Sequence, residues 1–362
     1  MVISRYNEKS VVQRSYLLFV NSCKSQQTLS NYKYHLERFL RFTKIKDCDS
    51  LASLDTEIIQ TLLEDYIFSL KSEGLSGMSI RCYLTAIESF FDCNRKFYYK
   101  KALHKLFPEI EKAGNEKSYT TEDAQKMLSS TTSKRNKALI HFLASTGARP
   151  ASIADPVLQF KHITPMSFGC KAILIYENSK EEYWVFLTPE ASLALDDYRD
   201  ERKRNGELVN LESMVFRSHN HAKNKKVRIE PLSIKGLQFV INGILKKSGI
   251  ERIKRGNRYD KAICYGFRKR FNTILKLDNN VNSNIAEKLM AHKRGLDGRY
   301  LTPTREQCFA EFVKAIPELT IDESKRLRIK LKESESDKDS RISKLESDLK
   351  NVYKLLNQIS VH

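Results

Sequence analysis

The chain has 362 residues, 30% charged and 41% hydrophobic, with 63 Lys and Arg against 44 Asp and Glu and a net charge of +19. That length suits two domains with a substantial core, and the mix excludes wholesale disorder. No apolar run reaches the length of a membrane span and the opening MVISRYNEKS lacks a signal-peptide core, so the expected compartment is the cytoplasm.

The first hundred residues read as helices. In Thr28–Phe42, Tyr32, Leu36, Phe39 and Leu40 recur at helical spacing between Arg and Lys. A second helix is expected over Glu57–Leu70. A third follows the Gly74–Gly77 loop, with Ile80, Leu84, Ile87, Phe90 and Phe91 on one face. Four or five short helices with basic outer faces suit a DNA-clasping bundle, and equally a bundle that packs on a partner protein. Around Phe107–Lys117 the pattern dissolves into Pro, Gly, Asn and charges, which is linker composition. Periodicity restarts at Thr121, where TTED offers an N-cap and acidic first-turn residues.

These changes divide the chain into a helical domain over 1–107, a linker over 108–120, a second domain over 121–320 and a tail over 321–362. In the second domain, AILIY and YWVFL flank the polar turn ENSKEE within Ala172–Leu187, a clear hairpin signal. Helices resume from Ala191. Two basic stretches, His221–Ile229 and Lys246–Arg258, read either as charged loops and helix ends or as phosphate-contacting surface. In the tail, a charged linker (KESESDKDSR) precedes Ile342, Leu345, Leu349, Val352, Leu356 and Ile359, spaced 3-4-3-4-3. That is a heptad seam of about two and a half repeats, able to self-associate or to dock within the chain.

The charge excess points to a polyanion, most commonly nucleic acid; a generally basic composition is the bland alternative. Seven cysteines are scattered without a C-x-x-C pair or a paired histidine cluster, which argues for reduced thiols and against a structural zinc site.

Against that background one tyrosine stands out. Tyr300, in LMAHKRGLDGRYLTPT (Leu289–Thr304), lies in a glycine-broken loop eight residues after His292. A phenol, with its pKa near about 10, is a weak nucleophile, so its proton needs a destination. Attack on a phosphodiester also needs guanidiniums for the charge on the non-bridging oxygens and an acid for the departing 5′ oxygen. Candidates exist. Arg149 follows Gly147 at the end of the apolar run ALIHFLA, and Arg268 lies three residues after Tyr265 in CYGFRKRFNTIL, a spacing that shares one helix face. Lys180 stands in the hairpin turn. Each has an ordinary reading too: a packed tyrosine, a surface arginine, an exposed turn lysine, a helix-end histidine.

In this order, TGARP, the hairpin lysine, YGFRKRF, LMAH and GRYLTP resemble the tyrosine recombinase (phage integrase) family over roughly residues 12–320. QTLSNYKYHLERFLRF and MSIRCYLTAIESFF look like its core-binding helical domain. The wording of the tyrosine segment and of AIPELTI is closer to archaeal and archaeal-virus integrases than to bacterial ones. The resemblance implies a mainly α protein with a small sheet: a two-domain clamp on duplex DNA, made of a helical core-binding domain and a breaking-and-rejoining catalytic domain. It implies that Arg149 and Arg268 clamp the scissile phosphate, Lys180 protonates the leaving 5′ oxygen, and Tyr265, where the family usually has His or Lys, hydrogen-bonds the phosphate. His292 then stabilises the phosphate or helps with the nucleophile's proton, and Tyr300 attacks to give a 3′-phosphotyrosyl link. No cofactor and no metal is implied. The implied partners are double-stranded DNA carrying specific sites and further copies of the chain, as a tetramer. Three departures stand out: Ser152 where the family often has an acid, Lys269 in place of a common histidine, and the eight-residue His–Tyr interval. A non-catalytic DNA-binding relative and a type IB-like topoisomerase remain the alternative readings.

Overall fold

The computed structural model describes residues 13–109, 117–218, 229–255, 258–277, 280–292 and 300–359. The chain divides into two compact units, Met1–Ala113 and Gly114–His362.

The described residues of the first unit form six helices: α1 (Arg14–Ser22), α2 (Gln26–Thr43), α3 (Cys48–Ser53), α4 (Thr56–Ser72), α5 (Gly77–Cys93) and α6 (Lys100–Lys105). Ser25 and Ser76 cap α2 and α5 by accepting from the backbone N–H groups of Thr28 and Ser79, which satisfies donors that the first turn leaves open. The apolar stripes of α2, α4 and α5 meet in one core, where Phe39 contacts Tyr66 and Phe91 edge-on. Gly77 is demanded by packing, because a Cβ there would lie 2.5 Å from the Pro108 carbonyl oxygen.

The second unit is built around α8 (Lys134–Thr146), buried along nearly its whole second half. It packs against α7 (Thr121–Ser129), α10 (Pro189–Arg204), α11 (Ile234–Lys247) and α12 (Tyr265–Leu277). A short α9 (Ala151–Ala154) follows α8. The expected hairpin is present as β2 (Lys171–Ile175) and β3 (Tyr183–Leu187), antiparallel with Ile175 opposite Tyr183. β1 (Ile163–Pro165) adds a third strand that sequence reading missed. A second antiparallel pair, β4 (Lys254–Arg255) and β5 (Arg258–Tyr259), lies at the end of the basic stretch read from sequence as loop, helix end or phosphate-contacting surface. The other basic stretch, His221–Ile229, falls outside the described residues but for Ile229. A neighbouring core gathers the far side of α12 with α13 (Ser283–Leu289) and α14 (Arg305–Leu319).

The tail departs from its reading. One helix, α15, runs unbroken over Glu323–Ile359, so the segment expected to be a charged linker is helical. Its sequence holds neither Gly nor Pro, and Lys and Glu propagate a helix well. Three side chains hold its root: Gln125 donates to the Ile321 carbonyl at 2.9 Å, Glu190 accepts from the Ile321 and Asp322 N–H groups, and buried Arg270 donates to the Glu318 and Leu319 carbonyls. No helix among the described residues is long and apolar enough to cross a membrane.

Candidate active site

The site begins where α8 stops. Gly147 ends the helix with φ of +56°, and a Cβ there would sit 2.6 Å from Phe271 Cδ1, so both backbone and packing require glycine. Stopping the helix at this point leaves the Gly147 carbonyl free, and Arg268 of α12 donates to it at 2.8 Å. Two residues on, half-buried Arg149 donates to the Ala291 carbonyl at 3.4 Å. Ser152 holds this loop from behind, its N–H and hydroxyl both donating to the Arg149 carbonyl, at 2.9 and 2.6 Å. The residue standing in for an acid therefore fixes the arginine's backbone and leaves its guanidinium unpaired by any carboxylate among the described residues.

α12 starts at Tyr265, and Gly266 allows Tyr119 to pack against it: a Cβ at 266 would meet the Tyr119 ring at 2.4 Å. One turn in, Arg268 is 7% exposed and makes two further contacts, to the Met290 carbonyl and to His292 Nε2 at 3.0 Å. The two guanidiniums thus share a single turn, donating to consecutive carbonyls at Met290 and Ala291. That turn is strained, with Ala291 at φ of +51°. Burial lowers the Arg268 pKa first, and the like charge of Arg149 lowers it further.

His292 is fixed at both ring nitrogens. Its Nδ1 lies 2.6 Å from Glu287 Oε2. Arginine has only donors, so Nε2 accepts from Arg268 and the proton sits on Nδ1, donating to Glu287. Burial holds the His292 pKa below its ordinary value, helped by Arg268 and Arg149 and opposed by Glu287. The Glu287 carboxyl is raised by burial but held below its usual range overall by hydrogen bonds from Lys276 and His292.

The hairpin brings phenols to the same place. Tyr183 has a buried hydroxyl without a hydrogen-bond partner among the described residues, and burial pushes it up to about 12 against the pull of Arg268 and Arg149. Tyr176 is raised by burial and feels Arg149, Tyr265 and Arg268 in turn. Tyr265 itself is 51% exposed beside this cluster.

Arg149, Arg268, His292 and Tyr265, singled out in the sequence, therefore come together. Lys180 lies exposed in the turn between β2 and β3, on the hairpin that carries Tyr176 and Tyr183. Tyr300 is 78% exposed, and its hydroxyl makes no hydrogen bond to a described residue, so none ties it to the cluster. Residues 293–299, which join it to His292, lie outside the described residues. Glu287, Tyr176 and Tyr183 are the additions sequence reasoning missed. Glu287 has a usable signal, since it precedes His292 by only five residues in the sequence. Among the described residues, no cluster of His, Cys, Asp and Glu is arranged to hold a metal ion.

Residues 15–96 match the family profile of the phage integrase N-terminal SAM-like domain. In structure, the chain is similar to XerH site-specific recombinase in a post-cleavage complex with a palindromic difH substrate. The TM-score is 0.53 at 18% identity, over 80% of this chain and 85% of that one. It is likewise similar to lambda integrase, solved as a dimer bound to a COC′ core site, with a TM-score of 0.51 at 14% identity over 80% and 94% of the two chains. No curated protein matches the chain in sequence. The mainly helical fold with its small sheet thus matches that of XerH site-specific recombinase and lambda integrase. The profile match over the first unit and this fold make the chain similar to the tyrosine recombinase (phage integrase) family.

Proposed function

We propose that the protein is a site-specific DNA recombinase that breaks and rejoins strands through Tyr300. One observation carries this reading: three separate stretches deliver Arg149, Arg268 and His292 to a single turn, beside the hairpin that holds Lys180. Two adjacent guanidiniums are costly to hold together without a counter-anion, and a phosphodiester with its non-bridging oxygens supplies one.

In this mechanism the Met290 and Ala291 carbonyls keep both guanidiniums aimed, and the scissile phosphate binds between them. Tyr265, half-exposed at the start of α12, hydrogen-bonds the phosphate. The Tyr300 oxygen attacks phosphorus, and the P–O5′ bond breaks to leave a 3′-phosphotyrosyl link. Lys180 gives its proton to the departing 5′ oxygen. Tyr265 stands where the family usually has His or Lys, so His292 takes the phenol's proton, at Nε2, once Arg268 turns its N–H from that nitrogen to the phosphate. The phosphotyrosyl bond conserves the energy of the strand, and attack by a new 5′ hydroxyl reseals it without ATP or metal. The two units clamp duplex DNA, and four copies act on paired specific sites to integrate or excise a mobile element, such as an archaeal virus, in the cytoplasm.

The test is a nicked suicide duplex carrying the cognate site. A covalent protein–DNA adduct that vanishes in Tyr300→Phe supports the proposal. Tight, salt-sensitive binding of the same duplex without an adduct assigns the chain to the non-catalytic relatives instead, and relaxation of supercoils without paired sites assigns it to the type IB-like topoisomerases.

A further inference from the structure

Gln125, Glu190 and Arg270 tie down the chain at the root of α15, but the described side chains of its outer part, from Ser334 to Lys350, are all exposed. They include Ile342 at 54%, Leu345 at 67% and Leu349 at 58%. These three begin the 3-4-3-4-3 seam that continues in the sequence through Val352, Leu356 and Ile359. A repeat of 3.5 rather than 3.6 residues matches a helix wound on other helices, not one lying on a globular surface. Docking within the chain, the other option open from sequence, is not what the structure shows for the described seam residues.

Heptad positions identify the occupant. Ile342, Leu349 and Leu356 fall at a, and Leu345, Val352 and Ile359 at d. Arg341 is then a g position and Glu346 the following e position, so in a parallel pair each Arg341 faces the other copy's Glu346. In a fully overlapped antiparallel pair, Arg341 falls at the far end of the seam, away from Glu346. Leucine at a combined with β-branched residues at d, as in the last two repeats, favours more than two strands. Upstream, Glu335 and Lys338 occupy a and d, and like charges there end the seam at Ile342.

We propose that α15 joins copies of this chain in a parallel coiled coil of more than two strands that forms without DNA. This does not depend on the recombinase reading. The test is sedimentation equilibrium of the DNA-free full-length protein over a range of concentrations. The expected result is a mass rising above two protomers. Leu349→Asp should weaken association by at least about tenfold, equivalent to about 1.4 kcal/mol, with an unchanged circular dichroism spectrum, while Ser347→Asp on the outer face should leave it intact. Arg341→Glu should weaken it several-fold, and Arg341→Glu with Glu346→Arg should restore it. A monomer throughout, association that stops at a dimer, or association indifferent to Leu349→Asp would overturn the proposal.

Discussion

The two halves of the candidate site are built differently. Arg268, His292 and Glu287 are locked by several hydrogen bonds each, and Arg268 is almost wholly buried. Tyr300 is exposed and makes no hydrogen bond to a described residue. The electrostatic half is assembled in advance, where reorganisation during the reaction would cost most. No hydrogen bond among the described residues holds the proposed nucleophile in the same way.

That contrast can be broken by substitution. Tyr300→Phe should abolish the adduct completely while leaving the thermal unfolding midpoint and DNA affinity unchanged; a shifted midpoint would show that Tyr300 is a packed residue after all. Arg268→Ala should lose both properties. Adduct formation should fall about 10²–10³-fold, and the Gly147 and Met290 carbonyls left without their donor should cost on the order of 3 kcal/mol of stability. Arg149→Ala, with a single long contact, should lose adduct to a similar degree at little cost in stability. If both arginine variants keep normal adduct yields in a single-turnover assay, the clamp assignment fails. Gly147→Ala should destabilise by roughly 1–3 kcal/mol, since it combines a positive φ with a clash on Phe271.

The pH profile sharpens the same contrast more finely. If His292 works as the neutral ring that accepts from Arg268, adduct formation should fall as pH drops through its lowered pKa, below the ordinary value near about 6.5. Glu287 raises that pKa, so Glu287→Gln should move the half-loss to still lower pH. Faster adduct formation on acidification would instead assign catalysis to the imidazolium.

Much of this was legible beforehand for physical reasons. The stripes of α2, α4 and α5, the β2–β3 hairpin and the two arginine boxes are local patterns, and local patterns survive in one dimension. β1 was not legible, being three residues ending in a proline, nor was the β4–β5 pair among basic residues. The helix over the charged tail was hidden because solvated charges carry no apolar period. Tyr183 looked like one more strand aromatic, and only strand register places its hydroxyl beside Arg268. In sequence Ser152 was a departure, standing where the family often has an acid; in three dimensions it holds the Arg149 backbone by two hydrogen bonds.

The most direct measurement is to isolate the covalent adduct from a suicide substrate, digest it, and identify the modified peptide and its nucleotide linkage by mass spectrometry. A nucleotide attached through its 3′ phosphate to the Tyr300 side chain is the predicted product. Attachment at another residue, or through a 5′ phosphate, would contradict the account.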